Sequence, residues 1–197
     1  MKKLLLSLLL ATLGLAAQPG NFVLHNEEVI LAKTAGKINE MCGELHAKTQ
    51  IAVYLSAIAK LPENETITQY QERIAATLSA PYVLVSISRL DRQIELTTSS
   101  DLAGRIDKNE VLDDYIIPLL VEMRKDLSPQ QQMSAGLLNG VAFVTDTLAE
   151  QEGIILTSSI GNESKDFYEG LMWVIKAMIL LTIIGFFIAW RRSKQGA

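Results

Sequence analysis

Residues 50–98 carry four segments in succession: QIAVYLSAI at 50–58, TITQYQERIAATL at 66–78, YVLVSIS at 82–88 and QIELTT at 93–98. The first is short, rich in Ile, Val, Tyr and Leu, and bounded by Leu61-Pro62-Glu63-Asn64, which reads as a buried strand. In the second, Thr66 and Gln69 form a capping-box start, and Ile67, Tyr70, Ile74 and Leu78 recur at helical intervals until Ser79-Ala80-Pro81. The third and fourth are strands separated only by Arg89-Leu90-Asp91-Arg92, the length of a hairpin, so that pair is antiparallel. A strand, a helix and a second strand in succession require a parallel crossover. The fold class is therefore α/β, a three-layer sandwich whose mixed, mainly parallel sheet is covered by helices.

Outward from this centre, apolar residues at Ile30, Leu31, Ile38, Met41, Cys42 and Leu45 predict a first helix from Asn26 to about Lys48, with Glu27 and Glu28 in its first turn, where they suit the helix dipole. Asp107 with Glu110 opens a third helix through Val111, Leu112, Tyr115, Ile116, Leu119 and Leu120, which bends or ends near Pro118. Ser128, Pro129 and Gln131 open a fourth, with an apolar line at Met133, Leu137, Val141, Val144 and Leu148. The domain thus covers residues 21–150. Residues 151–168, with Gly153, Ser158, Ser159, Gly161, Asn162 and Ser164, read as a polar tether in which Ile154-Ile155-Leu156 can pack on the domain.

The two ends address the chain to a membrane. Lys2 and Lys3, the apolar run from Leu4 to Leu15, and Ala16-Ala17 have the order of a secretory signal over residues 1–17, with cleavage expected after Ala16 or Ala17 and an uncleaved anchor as the alternative. Residues 169–190 contain the apolar run Leu171–Trp190, broken only by Lys176. As a helix rising about 1.5 Å per residue it spans roughly 30 Å, one hydrocarbon core. Phe167, Tyr168 and Trp173 flank one end of this expected transmembrane helix, and Trp190, Arg191, Arg192 and Lys194 the other. Aromatic belts and the positive-inside rule then place the tail, 191–197, in the cytoplasm and the domain on the extracytoplasmic, periplasmic side of the cell membrane.

Residues 17–170 hold 12 of the 18 basic residues and all 22 acids, a net charge of −10, which argues against a nucleic-acid partner. Cys42, the one cysteine, allows no internal disulfide and sits on an apolar helical face. There is no Gly-rich phosphate loop, no Gly-x-Ser-x-Gly elbow and no paired-His motif, and the histidines are His25 and His46. What remains is a set of acids after the strands: Asp91, Asp101, Asp107, Asp113 and Asp114. Two readings of these stand. Ca²⁺ or Mg²⁺ wants several oxygen ligands, which a loop beyond a strand end can converge; equally, Asp107 has the place of a helix N-cap, Asp91 of a turn residue, and Asp113 and Asp114 of a solvated face.

From about Phe22 to Glu150 the chain resembles the TPM domain family, α/β sandwich domains of exported and chloroplast-lumen proteins, often with an anchor. Thr49–Tyr54 is similar to the family's first strand, Thr66-Ile67-Thr68-Gln69-Tyr70 to its helix start, and Tyr82–Ile87 with Asp91-Arg92-Gln93-Ile94-Glu95 to its strand, turn and next strand. Asp107 and Ile116-Ile117-Pro118 resemble two further pieces. The family is ascribed a metal-assisted phosphatase activity, and some members a role in repairing photosynthetic membrane complexes. Asn26 stands where the family has an Asp, Asp101-Leu102-Ala103 where it has Gly-Leu-Glu, and Leu78-Ser79-Ala80-Pro81 shortens its Trp- and Gly-containing loop. Fewer charged ligands weaken a hard-cation site. The resemblance therefore implies a binding or accessory module for a membrane-protein partner, in assembly or quality control of a complex. The alternative is a phosphatase whose Asp101, Asp107 and Asp91 hold Ca²⁺ or Mg²⁺.

Overall fold

The computed structural model describes residues 20–121 and 126–160. The expected signal, the membrane segment with its markers Leu171, Trp173, Trp190, Arg191 and Arg192, and the tail lie outside the described residues. Among the described residues no helix is long and apolar enough to cross a membrane.

Four strands, β1 (Val23–Asn26), β2 (Ala52–Ile58), β3 (Tyr82–Ser88) and β4 (Gln93–Thr98), form one sheet in the order β1-β2-β3-β4. The first two pairings are parallel and β3–β4 is antiparallel, so the expected mixed sheet is present. Two crossovers build it: α1 (Ala32–Thr49) links β1 to β2, and α2 (Ile67–Ala75) links β2 to β3. Alternation along the central strands sends Val53, Leu55, Ala57, Val83, Val85 and Ile87 into the larger core, with Ile38, Met41 and Leu45 of α1 and Leu137, Val141 and Leu148 of α4 (Pro129–Gln151). The other face sends Ile58 and Leu84 against Ile67, Tyr70 and Ile74 of α2. Both helices with expected capping boxes have them: Thr66 Oγ1 accepts from Gln69 N at 3.2 Å, and Ser128 Oγ from Gln131 N at 3.2 Å.

Two expectations need correction, and one strand carried no signal in the spacing. The first helix begins at Ala32, not Asn26, because the Asn26 side chain accepts from Ile30 N and donates to Ile30 O, both at 3.0 Å, closing a loop in which Glu28 is left-handed. The residues before that loop form β1, whose register shifts between Val23 and His25 and so hides the alternation of a strand. The third helix is a π-helix over Glu110–Ile116 followed by α3 (Ile117–Val121), with Ile117 N–H reaching Leu112 O five residues back. Pro118 lacks an N–H and its ring crowds the carbonyl four residues earlier, which a widened turn relieves.

Of the expected tether, Ile154-Ile155-Leu156 packs on the domain, as its apolar character allowed, and Thr157–Ile160 follow it there. Leu156 is buried in the main core. Glu44 of α1 accepts from the backbone N–H and hydroxyl of both Thr157 and Ser158 at 2.5–3.0 Å, and Lys48 donates to Ile155 O at 2.8 Å. This strap seals the ends of α1 and α4. The two helices run parallel: Leu31 N donates to Ser134 Oγ where they start, and the strap spans them where they finish.

Candidate functional site

Open α/β sheets bind ligands beyond the carboxyl ends of their parallel strands. Here that crest is built by the ends of β1, β2 and β3, and three of its polar side chains, Asn26, Glu27 and Asp91, are engaged with backbone. Asn26 braces Ile30. Glu27 Oε2 accepts from Ala59 N at 2.8 Å. Asp91 Oδ2 accepts from Leu61 N at 2.7 Å and from Ser88 Oγ at 2.5 Å, pinning the loop after β2 to the hairpin. The Leu61 amide first, then the Ser88 hydroxyl, hold the Asp91 carboxyl below the usual carboxylate range.

A row of polar residues that sequence reasoning missed crosses the sheet beneath α2. His25, Ser56, Ser86 and Glu95 are register partners on the four successive strands. His25 Nδ1 lies 3.0 Å from Ser56 Oγ and 3.3 Å from Tyr70 OH, and Ser56 Oγ lies 2.7 Å from Tyr70 OH. Burial raises the Tyr70 phenol above its ordinary value, and Arg73 covers the ring at 5.1 Å. Gln71 Nε2 donates to Leu84 O and Glu95 O, both at 3.0 Å. Ser56 is fully buried, so its hydroxyl cannot meet a substrate and the His–Ser pair is not a nucleophilic dyad. The row seats α2 on the sheet. Its signal was in the sequence: Ser56, Ser86 and Ser88 interrupt otherwise apolar strands.

The three aspartates expected to share a cation are not brought together. Asp91 sits in the β3–β4 hairpin, while Asp101 follows β4 in a 3₁₀ turn (Ser100–Leu102), next to the start of β3, where Ser99 pairs with Tyr82. The six residues of β4 separate them by roughly 20 Å. Asp107 acts as the expected N-cap, its Oδ1 accepting from Asn109 N at 2.9 Å and Glu110 N at 3.3 Å. Asp101, Asp107, Asp113 and Asp114 are exposed. Among the described residues no group of three His, Cys, Asp or Glu side chains could hold a metal ion. The residues present do not fit a Ca²⁺ or Mg²⁺ site built from Asp91, Asp101 and Asp107.

Neither histidine joins these acids. His46, near the end of α1, packs against Phe22 with ring centroids 5.7 Å apart, and its Nδ1 is buried without a partner. Cys42 is buried, and that burial pushes its thiol far above the ordinary value.

Comparison with known proteins agrees with this architecture. No curated protein matches the chain. Among solved structures, the N-terminal domain of a P. gingivalis protein has a TM-score of 0.54 at 12% identity, over 68% of this chain and 86% of that one. The N-terminal domain of a Corynebacterium glutamicum protein gives 0.49 at 11% identity, over 70% and 85%. The first of these likenesses is one of fold. The family model of the TPM domain matches residues 23–146, well over half of the 197. The chain belongs to the TPM domain family.

Proposed function

We propose that this chain is a membrane-anchored accessory module whose TPM domain stands on the extracytoplasmic side and binds a membrane-protein partner, in assembly or quality control of a complex. One observation carries the reading: Asn26, Glu27, Asp91 and Asp107 each hold a backbone amide in place. Side chains committed to building the fold are poor candidates for gathering a cation and turning over phosphate. The anchor is the apolar segment 171–190, which would keep the domain beside its partner.

The test has two arms on the full chain. In the first, purification in mild detergent recovers a defined membrane partner in fixed ratio; recovery of the chain alone overturns the module. In the second, a thermal melt with millimolar Ca²⁺ or Mg²⁺ is compared with a melt in chelator. No shift is expected. A cation present at 100 times its dissociation constant would add about 2.7 kcal/mol. Such a shift, lost in Asp101→Ala and Asp107→Ala, would favour the phosphatase.

A further inference from the structure

The end of the domain opposite the crest carries a cavity of about 270 Å³, lined by Asp146, Ala149 and Glu150 of α4, the Gly153 turn and Ile154–Leu156 of the strap. It is smaller than the roughly 300–1,000 Å³ of sites for drug-sized ligands and suits a single side chain. Its walls are of two kinds. Ile155 is 75% exposed, yet it is held, because Lys48 bonds its carbonyl and Glu44 clamps Thr157 and Ser158 just beyond it. Glu150 and Glu152 stand at the last turn of a 23-residue helix with no basic residue there, where the dipole favours cations. Arg105 answers Glu152 at 2.7 Å, whereas Glu150 has no ion pair among the described residues.

From an apolar floor, an unopposed carboxylate and the negative end of a long helix, we infer that this cavity receives a Lys or Arg side chain of a protein partner, its stem on Ile154 and Ile155 and its charge toward Glu150. The position agrees with the accessory-module reading, on which the inference rests. The described chain ends at Ile160, on this side of the domain, and residues 161–170 can reach at most about 35 Å before the apolar segment begins. The cavity therefore lies within reach of another membrane protein's juxtamembrane segment.

The test titrates the full chain in zwitterionic micelles with N-acetyl-lysine methylamide and with its norleucine counterpart, following Ile methyl signals by NMR. The lysine probe should move Ile154 and Ile155, norleucine should not, and Glu150→Gln should weaken binding about threefold, as for one exposed ion pair. Equal response to norleucine, no effect of Glu150→Gln, or shifts confined to the crest would overturn the inference. The two readings can fail separately. Probe binding without any co-purifying partner removes the module and leaves the cavity. A partner retained undiminished by Glu150→Lys removes the cavity and leaves the module.

Discussion

Gly140→Ala is the sharpest test of how α4 packs. A Cβ at Gly140 would stand 2.2 Å from Ile116 Cγ1 and 2.5 Å from Ile116 Cδ1, more than 1 Å inside ordinary contact. Ile116 is fully buried in the widened turn forced by Pro118, beside the Tyr115–Phe143 stack with centroids 3.8 Å apart, so it has little room to retreat. Overpacking of this kind costs about 1–3 kcal/mol, against a gain of about 1 kcal/mol for removing glycine from a helix interior. The expected result is a net loss of about 1 kcal/mol, read as a fall of about 2–4 °C in Tm. Gly36→Ala is the control, since nothing lies within 4 Å of its Cβ and α1 should gain about 0.5–1 kcal/mol. A Gly140→Ala protein as stable as Gly36→Ala would refute the close contact. Combining Gly140→Ala with Ile116→Ala should show a coupling of about 1 kcal/mol, because the cavity left by one accommodates the methyl of the other.

Other perturbations probe the strap, the hairpin and the core. Burial pushes the Glu44 carboxyl upward, but Lys48 and the Thr157 and Ser158 donors outweigh it and lower the group well below its ordinary value. Its contribution is therefore complete above the unfolded carboxylate value and lost as pH falls through the lower folded one, so Thr157 and Ser158 amides should lose exchange protection in acid before the core does. Glu44→Ala, which strands the buried Ser158 donors, should cost about 1–3 kcal/mol in a urea melt. Unchanged strap protection would sink that account. Asp91 obeys the same sign, its stabilisation fading as pH drops below the usual carboxylate range. Asp91→Ala should lower Tm more than Asp91→Asn, because an amide oxygen can still accept from Leu61 and Ser88. Cys42 should resist alkylation in the folded chain and react on unfolding; fast native labelling would contradict its burial.

Legibility followed the range of the interactions involved. β3, β4 and the starts of α2 and α4 rest on local chemistry, namely β-branched runs and side chains that cap amides three residues away, and they stand where the spacing placed them. β1 was hidden because four residues with a register shift and a polar end carry no alternation, and its partners on β2 are about thirty residues distant. The strap was half legible: Ile154-Ile155-Leu156 reads as able to pack on the domain, but Thr157 and Ser158 read as tether until Glu44, 113 residues before Thr157, supplies the acceptors. For the acids, the cap and turn roles of Asp107 and Asp91 were written in their neighbours. Their separation also followed from the hairpin, since an antiparallel return carries Asp101 to the opposite end of the sheet from Asp91.

The two ends of the domain differ in how their charges are used, and that difference tells where to look for a partner. At the crest the acids obey local rules: Asp91 holds a turn and Glu27 an amide, and both would be retained for folding alone. At the other end Glu150 and Glu152 break one, placing negative charge where a helix terminus is already negative, and among the described residues a single arginine compensates one of the two. Chains tend to violate local consistency where function requires it and recover the stability elsewhere. Here the recovery is visible in the strap, whose hydrogen bonds to Glu44 hold an exposed isoleucine beside the uncompensated carboxylate. Neutralising Glu150 should then raise the stability of the isolated chain while weakening its association, a pairing of effects that a merely structural acid would not produce.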